Sequence, residues 1–163
     1  MGAMTGSGPL LDRPTAIVVE ATGTLVVADL SQLLRVDPVS GTRTLIADAS
    51  PEGGSFTDIA VEATGDLLAL GSSRAARVPL AAPIRVIRVN PVSGARALVC
   101  DASTGSGPLP IRPAGLAVEA TGTLVIVDTG SFRSASTELA EQPGLGAVLR
   151  VDPHSGDRAI ISR

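Results

Sequence analysis

LAVEATGTLVIVD, residues 116–128, recurs in two further close copies, IVVEATGTLVVAD at residues 17–29 and IAVEATGDLLALG at residues 59–71. Each copy consists of an apolar run, a short Ala-Thr-Gly segment and a second apolar run. Repetition at a period of about 20 to 50 residues is typical of solenoids and propellers. We therefore divide the chain into three units, residues 6–50, 51–103 and 104–163, and set aside residues 1–5, which resemble a cloning remnant.

Each unit contains four apolar segments of strand length, rich in Val, Ile and Leu. In the first unit they are residues 16–20, 24–29, 33–36 and 43–47. The Ala-Thr-Gly segment between the first two suits a tight hairpin, because its glycine can take the left-handed conformation. An Asx-Pro-x-Ser-Gly segment, such as residues 37–41, joins the last two and suits a turn capped by the Asx side chain. The pattern predicts two hairpins in each unit.

The second segment of each unit is apolar at consecutive positions, as in Leu124-Val125-Ile126-Val127. Strands of this kind need cover on both faces of their sheet. Three like sheets that cover one another are typical of a β-propeller, in which blades stack side by side around a channel. The sequence therefore predicts an all-β fold, a β-propeller with three four-stranded antiparallel blades.

Composition excludes several classes of function. The 13 basic residues are balanced by 16 acidic ones, with no basic cluster, so nucleic acid is not an expected partner. No apolar run approaches the roughly 18 residues of a spanning helix, so no membrane association is predicted. The single cysteine, Cys100, cannot form an internal disulfide and has no metal-ligand spacing around it. The sequence gives no cellular compartment.

Two insertions break the repeat at one corresponding place, between the second and third segments. They cover residues 71–83 in the second unit and 129–146 in the third. Insertions at one place in successive repeats project from the same face, which is often the binding face. The candidate ligand-binding residues are Arg74, Arg77, Phe132, Arg133, Glu138 and Glu141. The alternative is that these insertions are disordered or only cover an exposed edge.

The pattern of residues 112–119, followed by 122–128 and then by 148–153 with Ser155-Gly156, resembles a blade of the NHL-repeat propellers and of the related SMP-30/gluconolactonase-like six-bladed propellers. The resemblance covers nearly the whole chain and implies the fold. These repeats occur in enzymes, lyases, receptors and scaffolds, so the resemblance does not imply one function.

The resemblance also implies a ring of six or seven blades, whereas this chain has three. An open arc would expose the apolar faces of its first and last blades, beyond what a soluble monomer tolerates. Two copies give six blades, within the usual range, and three copies give nine, outside it. The sequence therefore predicts a six-bladed ring completed by homodimerisation, with blade one of each copy against blade three of the other.

Asp29 and Asp128 end the second segment of their units. In the lactonase-like relatives, acidic residues near such strand ends bind a divalent metal, so these two residues are candidate ligands for calcium or another divalent cation. The alternative is that they accept hydrogen bonds in turns or between blades, with no cofactor. Glu20, Glu62 and Glu119 precede each hairpin and are interpreted as exposed strand ends, although a carboxylate ring is conceivable. His154 is expected to be solvated, and Cys100 to be a buried, inert thiol.

Two functional hypotheses follow. The first is a non-catalytic, self-assembling propeller module, designed, truncated or recently amplified, that presents its insertion-bearing face to a protein or small ligand. The second is a metal-dependent, lactonase-like hydrolase that uses Asp29 and Asp128 at the channel mouth.

Overall fold

A computed structural model describes residues 6–48, 54–73, 84–110, 112–130 and 146–163. Within these residues twelve strands follow one another along the chain. The first blade comprises β1 (Pro14–Val19), β2 (Leu25–Asp29), β3 (Gln32–Val36) and β4 (Arg43–Asp48); the second β5 (Gly54–Val61), β6 (Leu67–Ser73), β7 (Ile84–Val89) and β8 (Arg96–Cys100); and the third β9 (Pro113–Val118), β10 (Leu124–Asp128), β11 (Ala147–Val151) and β12 (Arg158–Ser162). None of the described segments is a helix long and apolar enough to cross a membrane.

Each blade is one four-stranded sheet whose strands lie in chain order and pair antiparallel. Both predicted hairpins are present. In the first, the Gly23 amide donates to the Glu20 carbonyl at 2.8 Å, and Gly23 has a φ of 84°. In the second, Asp37 Oδ1 accepts the amides of Val39 and Ser40 at 2.8 and 2.7 Å. These backbone hydrogen bonds lower the pKa of Asp37, so the cap is ionised and effective at neutral pH.

The three blades pack side by side through their first strands, because β1 contacts β5 and β5 contacts β9. Apolar side chains fill both junctions. One cluster includes Val26 and Leu33 of the first blade with Ile59 and Leu67 of the second. The other joins the second and third blades. In β6, the four residues from Leu67 to Leu70 are fully buried, which explains why this strand shows no alternation between apolar and polar residues.

The turn between the third and fourth strands packs against the preceding blade in the same way at both junctions. A Cβ atom added at Gly94 would lie 2.6 Å from the Ile46 carbonyl oxygen, and one added at Gly156 would lie 2.7 Å from the Val99 carbonyl oxygen. Both contacts are too close for any side chain. The turn glycine therefore lets the backbones of neighbouring blades approach one another.

An arginine at the start of each fourth strand adds a polar contact across both junctions. Arg96 Nη1 donates to the Asp48 carbonyl oxygen at 2.6 Å, and Arg158 Nη1 donates to the Asp101 carbonyl oxygen at 3.0 Å. Asp48 and Asp101 occupy corresponding positions at the ends of the first and second blades. The two junctions thus have the same three parts: an apolar centre, a turn packed against the preceding blade, and an arginine that donates to the preceding blade.

The second blade departs from the others where its first two strands pair. β5 has eight residues, against six in β1 and β9, and its Phe56 pairs directly with Gly71. A Cβ atom at Gly71 would lie 2.5 Å from the Ser55 carbonyl oxygen. Glycine is required here by close packing, so this position cannot carry the aspartate that stands in the other two units.

Candidate functional site

The predicted binding face is the end of the sheets at which β2, β6 and β10 stop. The insertions leave the sheets here, after Ser73 in the second blade and after Asp128 in the third, and the chain returns at Ile84 and Ala147. The candidate ligand residues Arg74, Arg77, Phe132, Arg133, Glu138 and Glu141 lie outside the described residues. Asp29 and Asp128 end the second strands of their blades at this same end, and Asp128 directly precedes the insertion of the third blade.

Asp29 is buried, with 1% of its surface exposed. Its carboxylate accepts the backbone amides of Asp12 and Arg13 at 2.9 and 2.5 Å. The Leu30 amide in turn donates to the Arg13 carbonyl at 3.1 Å. Asp29 therefore fixes the connection that leads into β1, as a buried acceptor with two backbone donors.

Asp128 repeats this arrangement in the third blade. It is also 1% exposed, and its Oδ1 accepts the Arg112 amide at 2.6 Å. The Thr129 amide donates to the Arg112 carbonyl at 3.0 Å. Among the residues that the structure covers, no three His, Cys, Asp or Glu side chains are grouped so that they could hold a metal ion. The hydrogen bonds given above agree with the hydrogen-bonding alternative, because their donors are backbone amides. The divalent-cation site at Asp29 and Asp128 stays a prediction.

We expect Asp29→Ala to lower the free energy of unfolding by about 1.5–3 kcal/mol, because the part-buried amides of Asp12 and Arg13 would lose the acceptor that the buried carboxylate provides. Asp29→Asn, which keeps one acceptor oxygen, should lose less. Chemical denaturation of the three proteins measures the difference. Repeating it with calcium tests the cation reading: a calcium-induced rise in melting temperature that disappears in Asp29→Ala would support a metal site against our interpretation.

The glutamates before the first hairpins are paired, which corrects their interpretation as exposed strand ends. Glu20 and Glu62 each form two hydrogen bonds with an arginine of the third strand, Arg35 and Arg88, and their side chains are only 13% and 12% exposed. In the third blade, Arg150 Nη2 donates to Glu119 at 2.7 Å. Each pair ties the first hairpin of a blade to its third strand. Each glutamate has an arginine partner of its own, which supports a structural role for the three carboxylates.

The arginine pairs had a signal in the sequence. An Arg-Val-Asx-Pro segment occurs in all three units, beginning at Arg35, Arg88 and Arg150. The antiparallel register places each arginine opposite the second residue of the second strand, close to the first hairpin, as in the pair Val26 and Arg35. A repeated acid and a repeated base in one sheet indicate an ion pair. The ion pair is missed when the glutamate and the arginine are considered separately.

The repeated Gly-Ser-Gly-Pro segments lie along the fourth strands and are held by an arginine. The Arg43 amide donates to the Ser7 carbonyl and its Nε to the Pro9 carbonyl. Arg158 contacts Ser106 and Pro108 in the same manner. The segment before the first blade therefore packs against β4 in the same way as the connection between the second and third blades packs against β12.

Asp101 begins the connection between the second and third blades. Burial tends to raise the pKa of this carboxyl, but hydrogen bonds from Ser103 and Thr104 outweigh burial, and the net pKa is lowered. Its Oδ1 accepts the two amides at 2.7 and 2.8 Å. The carboxylate therefore stays ionised at neutral pH and orders the turn whose Thr104 carbonyl accepts a hydrogen bond from Arg158.

The two remaining single residues lie as predicted. Cys100 is buried between the second and third blades, and burial raises the pKa of its thiol. A thiol of this kind is a poor nucleophile. The His154 side chain is 92% exposed on its turn. Neither residue contributes to a catalytic arrangement among the described residues.

The outer flank of the third blade is apolar and exposed. Val127 is 44% exposed, whereas the corresponding residues Ala28 and Leu70 of the other blades are fully buried at junctions. Ile161 is 47% exposed, and its counterpart Val99 is 4% exposed. The third blade therefore carries the same type of surface that the first two use to bind their next blade.

The outer flank of the first blade is the complementary surface. Ile17 is 60% exposed, although its counterparts Ile59 and Leu116 are 3% and 9% exposed at internal junctions. Val19 is 62% exposed, and its counterpart Val61 packs against the first junction cluster. Each end of the arc thus exposes one half of an internal junction.

No family model and no curated protein matches this sequence. Solved structures do match its fold. The nidogen/laminin complex aligns over 91% of this chain and 48% of its own, at a TM-score of 0.62 and 16% identity. The PQQ-bound aldose sugar dehydrogenase of Streptomyces coelicolor aligns over 92% of this chain and 47% of its own, at a TM-score of 0.58 and 20% identity. A gluconolactonase of Xanthomonas campestris, XC5397, aligns over 93% of this chain and 49% of its own, at a TM-score of 0.56 and 21% identity.

These neighbours and the three four-stranded sheets define the class: the chain is a partial β-propeller. The propeller fold is the one that the sequence resemblance implied. The described chain spans about half the length of each of these three structures. At identities of 16% to 21%, the likeness concerns the fold alone.

Proposed function

We propose that this chain is a non-catalytic propeller module that closes a six-bladed ring with a second copy of itself. The supporting observation is the exposure of Ile17, Val19, Val127 and Ile161 at positions that are covered at internal junctions. Apolar surface of this kind marks a site of association. In a two-fold dimer, blade one of each copy covers blade three of the other, and both exposed flanks are buried at once.

We further propose that the insertion-bearing face of this ring binds a protein or a small ligand. Both insertions leave the sheets at one end, so a dimer would present four of them around the channel mouth. Arg74, Arg77, Phe132, Arg133, Glu138 and Glu141 are the candidate contacts. Asp29 and Asp128 lie at the same end of their sheets, and their buried carboxylates accept hydrogen bonds from the connections that lead into β1 and β9.

Solution mass tests the ring. We expect light scattering to give about twice the chain mass of 16.3 kDa across the micromolar range, because two junctions form together in the dimer. A mass that stays at one chain would refute the ring, and a mass of three chains would require nine blades and refute its closure by two.

The lactonase-like hydrolase is still an untested alternative. It requires that a divalent cation raise the melting temperature and that Asp128→Ala abolish hydrolysis of a lactone. The hydrogen bonds at Asp29 and Asp128 give that reading no added support, so the module is our conclusion.

A further inference from the structure

The two internal junctions reveal which part of the first blade would contact a second copy. At each of them, the turn before the fourth strand places its glycine on a carbonyl of the preceding blade's fourth strand. Gly94 approaches Ile46, and Gly156 approaches Val99. The corresponding glycine of the first blade is Gly41, and the corresponding strand position of the third blade is Ile161.

We infer that the β3–β4 turn of one copy, residues 37–42, seats on β12 of the other copy with Gly41 against the Ile161 carbonyl. This inference rests on the proposed ring and specifies its contact. The turn already has the required shape: Asp37 Oδ1 caps it, and Gly41 has a φ of 68°, close to the 71° and 76° of Gly94 and Gly156. No rearrangement of the turn is needed before docking.

The partner surface on β12 is also available. Ile161 is 47% exposed, and Ser162, which corresponds to the junction residues Ala47 and Cys100, is exposed. Arg43, directly after the turn, corresponds to Arg96 and Arg158, which bridge to the preceding blade. The backbone of a second copy therefore fits both sides of the contact. Arg163 stands where the internal junctions have Asp48 and Asp101, so Arg43 would donate to the Arg163 carbonyl without the additional carboxylate contact that Arg96 makes with Asp48.

Gly41→Ala tests the packing of this turn on β12, and Gly65→Ala controls for the strain that an alanine causes at positive φ. Both glycines have positive φ, 68° and 88°, so an alanine strains the backbone of each. A Cβ at Gly65 meets nothing within 4 Å, and Gly65 lies away from the seat. We expect Gly41→Ala to raise the dimer dissociation constant at least thirtyfold, and Gly65→Ala to leave it within threefold, in sedimentation equilibrium. Equal dissociation constants for the two variants would contradict the packing of residues 37–42 on β12 of the other copy.

A thiol probe gives an independent reading. Ile161→Cys in a Cys100→Ala background places one thiol on the proposed seat. We expect its alkylation rate to fall at least tenfold as the protein is concentrated into dimers, and to stay fast in the same protein carrying Gly41→Ala. If the parent chain is a monomer at every concentration, the ring itself fails. If it dimerises while the thiol at position 161 stays reactive, the ring stands and the seat is wrong.

Discussion

Val127→Glu should leave the chain folded but monomeric at concentrations at which the unaltered protein is a dimer. The side chain is 44% exposed on the outer flank of the third blade, so a carboxylate there remains in water while the chain is alone. On ring closure it would enter an apolar junction like that around Leu70. Burying an unpaired charge costs several kcal/mol, and each 1.4 kcal/mol is tenfold in affinity. We expect the dissociation constant to rise more than a hundredfold in sedimentation analysis.

The control for this change is Val92→Glu. Val92 lies on a turn next to a formed junction, yet 90% of its side chain is exposed. A carboxylate at that position stays hydrated in either state, so dimerisation should be unaffected. A Val127→Glu protein that dimerises as tightly as Val92→Glu would contradict the assignment of this flank to the interface.

A charge on the opposite flank tests which blades meet. Ile17→Lys should also give monomers, because Ile17 is 60% exposed on the first blade and is covered on closure. Mixing Ile17→Lys with Val127→Glu should restore association, since one junction of the mixed pair joins opposite charges and the other is unaltered. This recovery distinguishes contact between blades one and three from contact between like flanks.

The strands and hairpins could be predicted because their signals are local and occur three times. The Asx-Pro-x-Ser-Gly turn illustrates this: its cap, its proline and its glycine lie within five residues, and the structure contains the expected hydrogen bonds to Asp37. Repetition adds information, because a feature that is ambiguous in one unit is read three times. The all-β class and the blade plan follow from such local patterns.

What could not be predicted depends on contacts between distant parts of the chain. The pairing of Glu20 with Arg35 requires the strand register, which no single segment contains. Gly71 shows the same limit: the sequence suggests a missing aspartate, whereas the structure shows a longer pairing of β5 with β6 that leaves no room for a side chain. For Asp29 the sequence allows two roles, as a cation ligand or as a hydrogen-bond acceptor. Its donors are the backbone amides of Asp12 and Arg13, and a backbone amide leaves no signature in the sequence.

A single-chain fusion of two copies should form the complete ring within one molecule. The repeat gives the length of the connection. Arg163 follows β12 as Asp101 follows β8, and residues 5–10 are identical to residues 104–109, so only the two residues Ala102 and Ser103 separate these landmarks. Residues 5–163, Ala-Ser and a second copy of residues 5–163 would therefore repeat the connection between the second and third blades.

Covalent connection replaces association by an intramolecular contact with an effective concentration of about a millimolar. At a protein concentration of about one micromolar, this factor of about a thousand is worth about 4 kcal/mol. We expect the fusion to have about twice the mass of one chain, to melt about 6 °C above the unlinked dimer, and to melt at a temperature independent of dilution. The unlinked dimer should lose stability on dilution.

The matched control is the same fusion with Val127→Glu in its first copy. That change lies at the junction that the Ala-Ser connection spans, so it should remove most of the gain in melting temperature while leaving the mass per molecule unchanged. A fusion that assembles further, to four or more copies of the repeat chain, would mean that the flanks do not match across six blades. Because both flanks are exposed halves of junctions that the chain already forms internally, we expect one closed molecule, with no apolar flank left for further association.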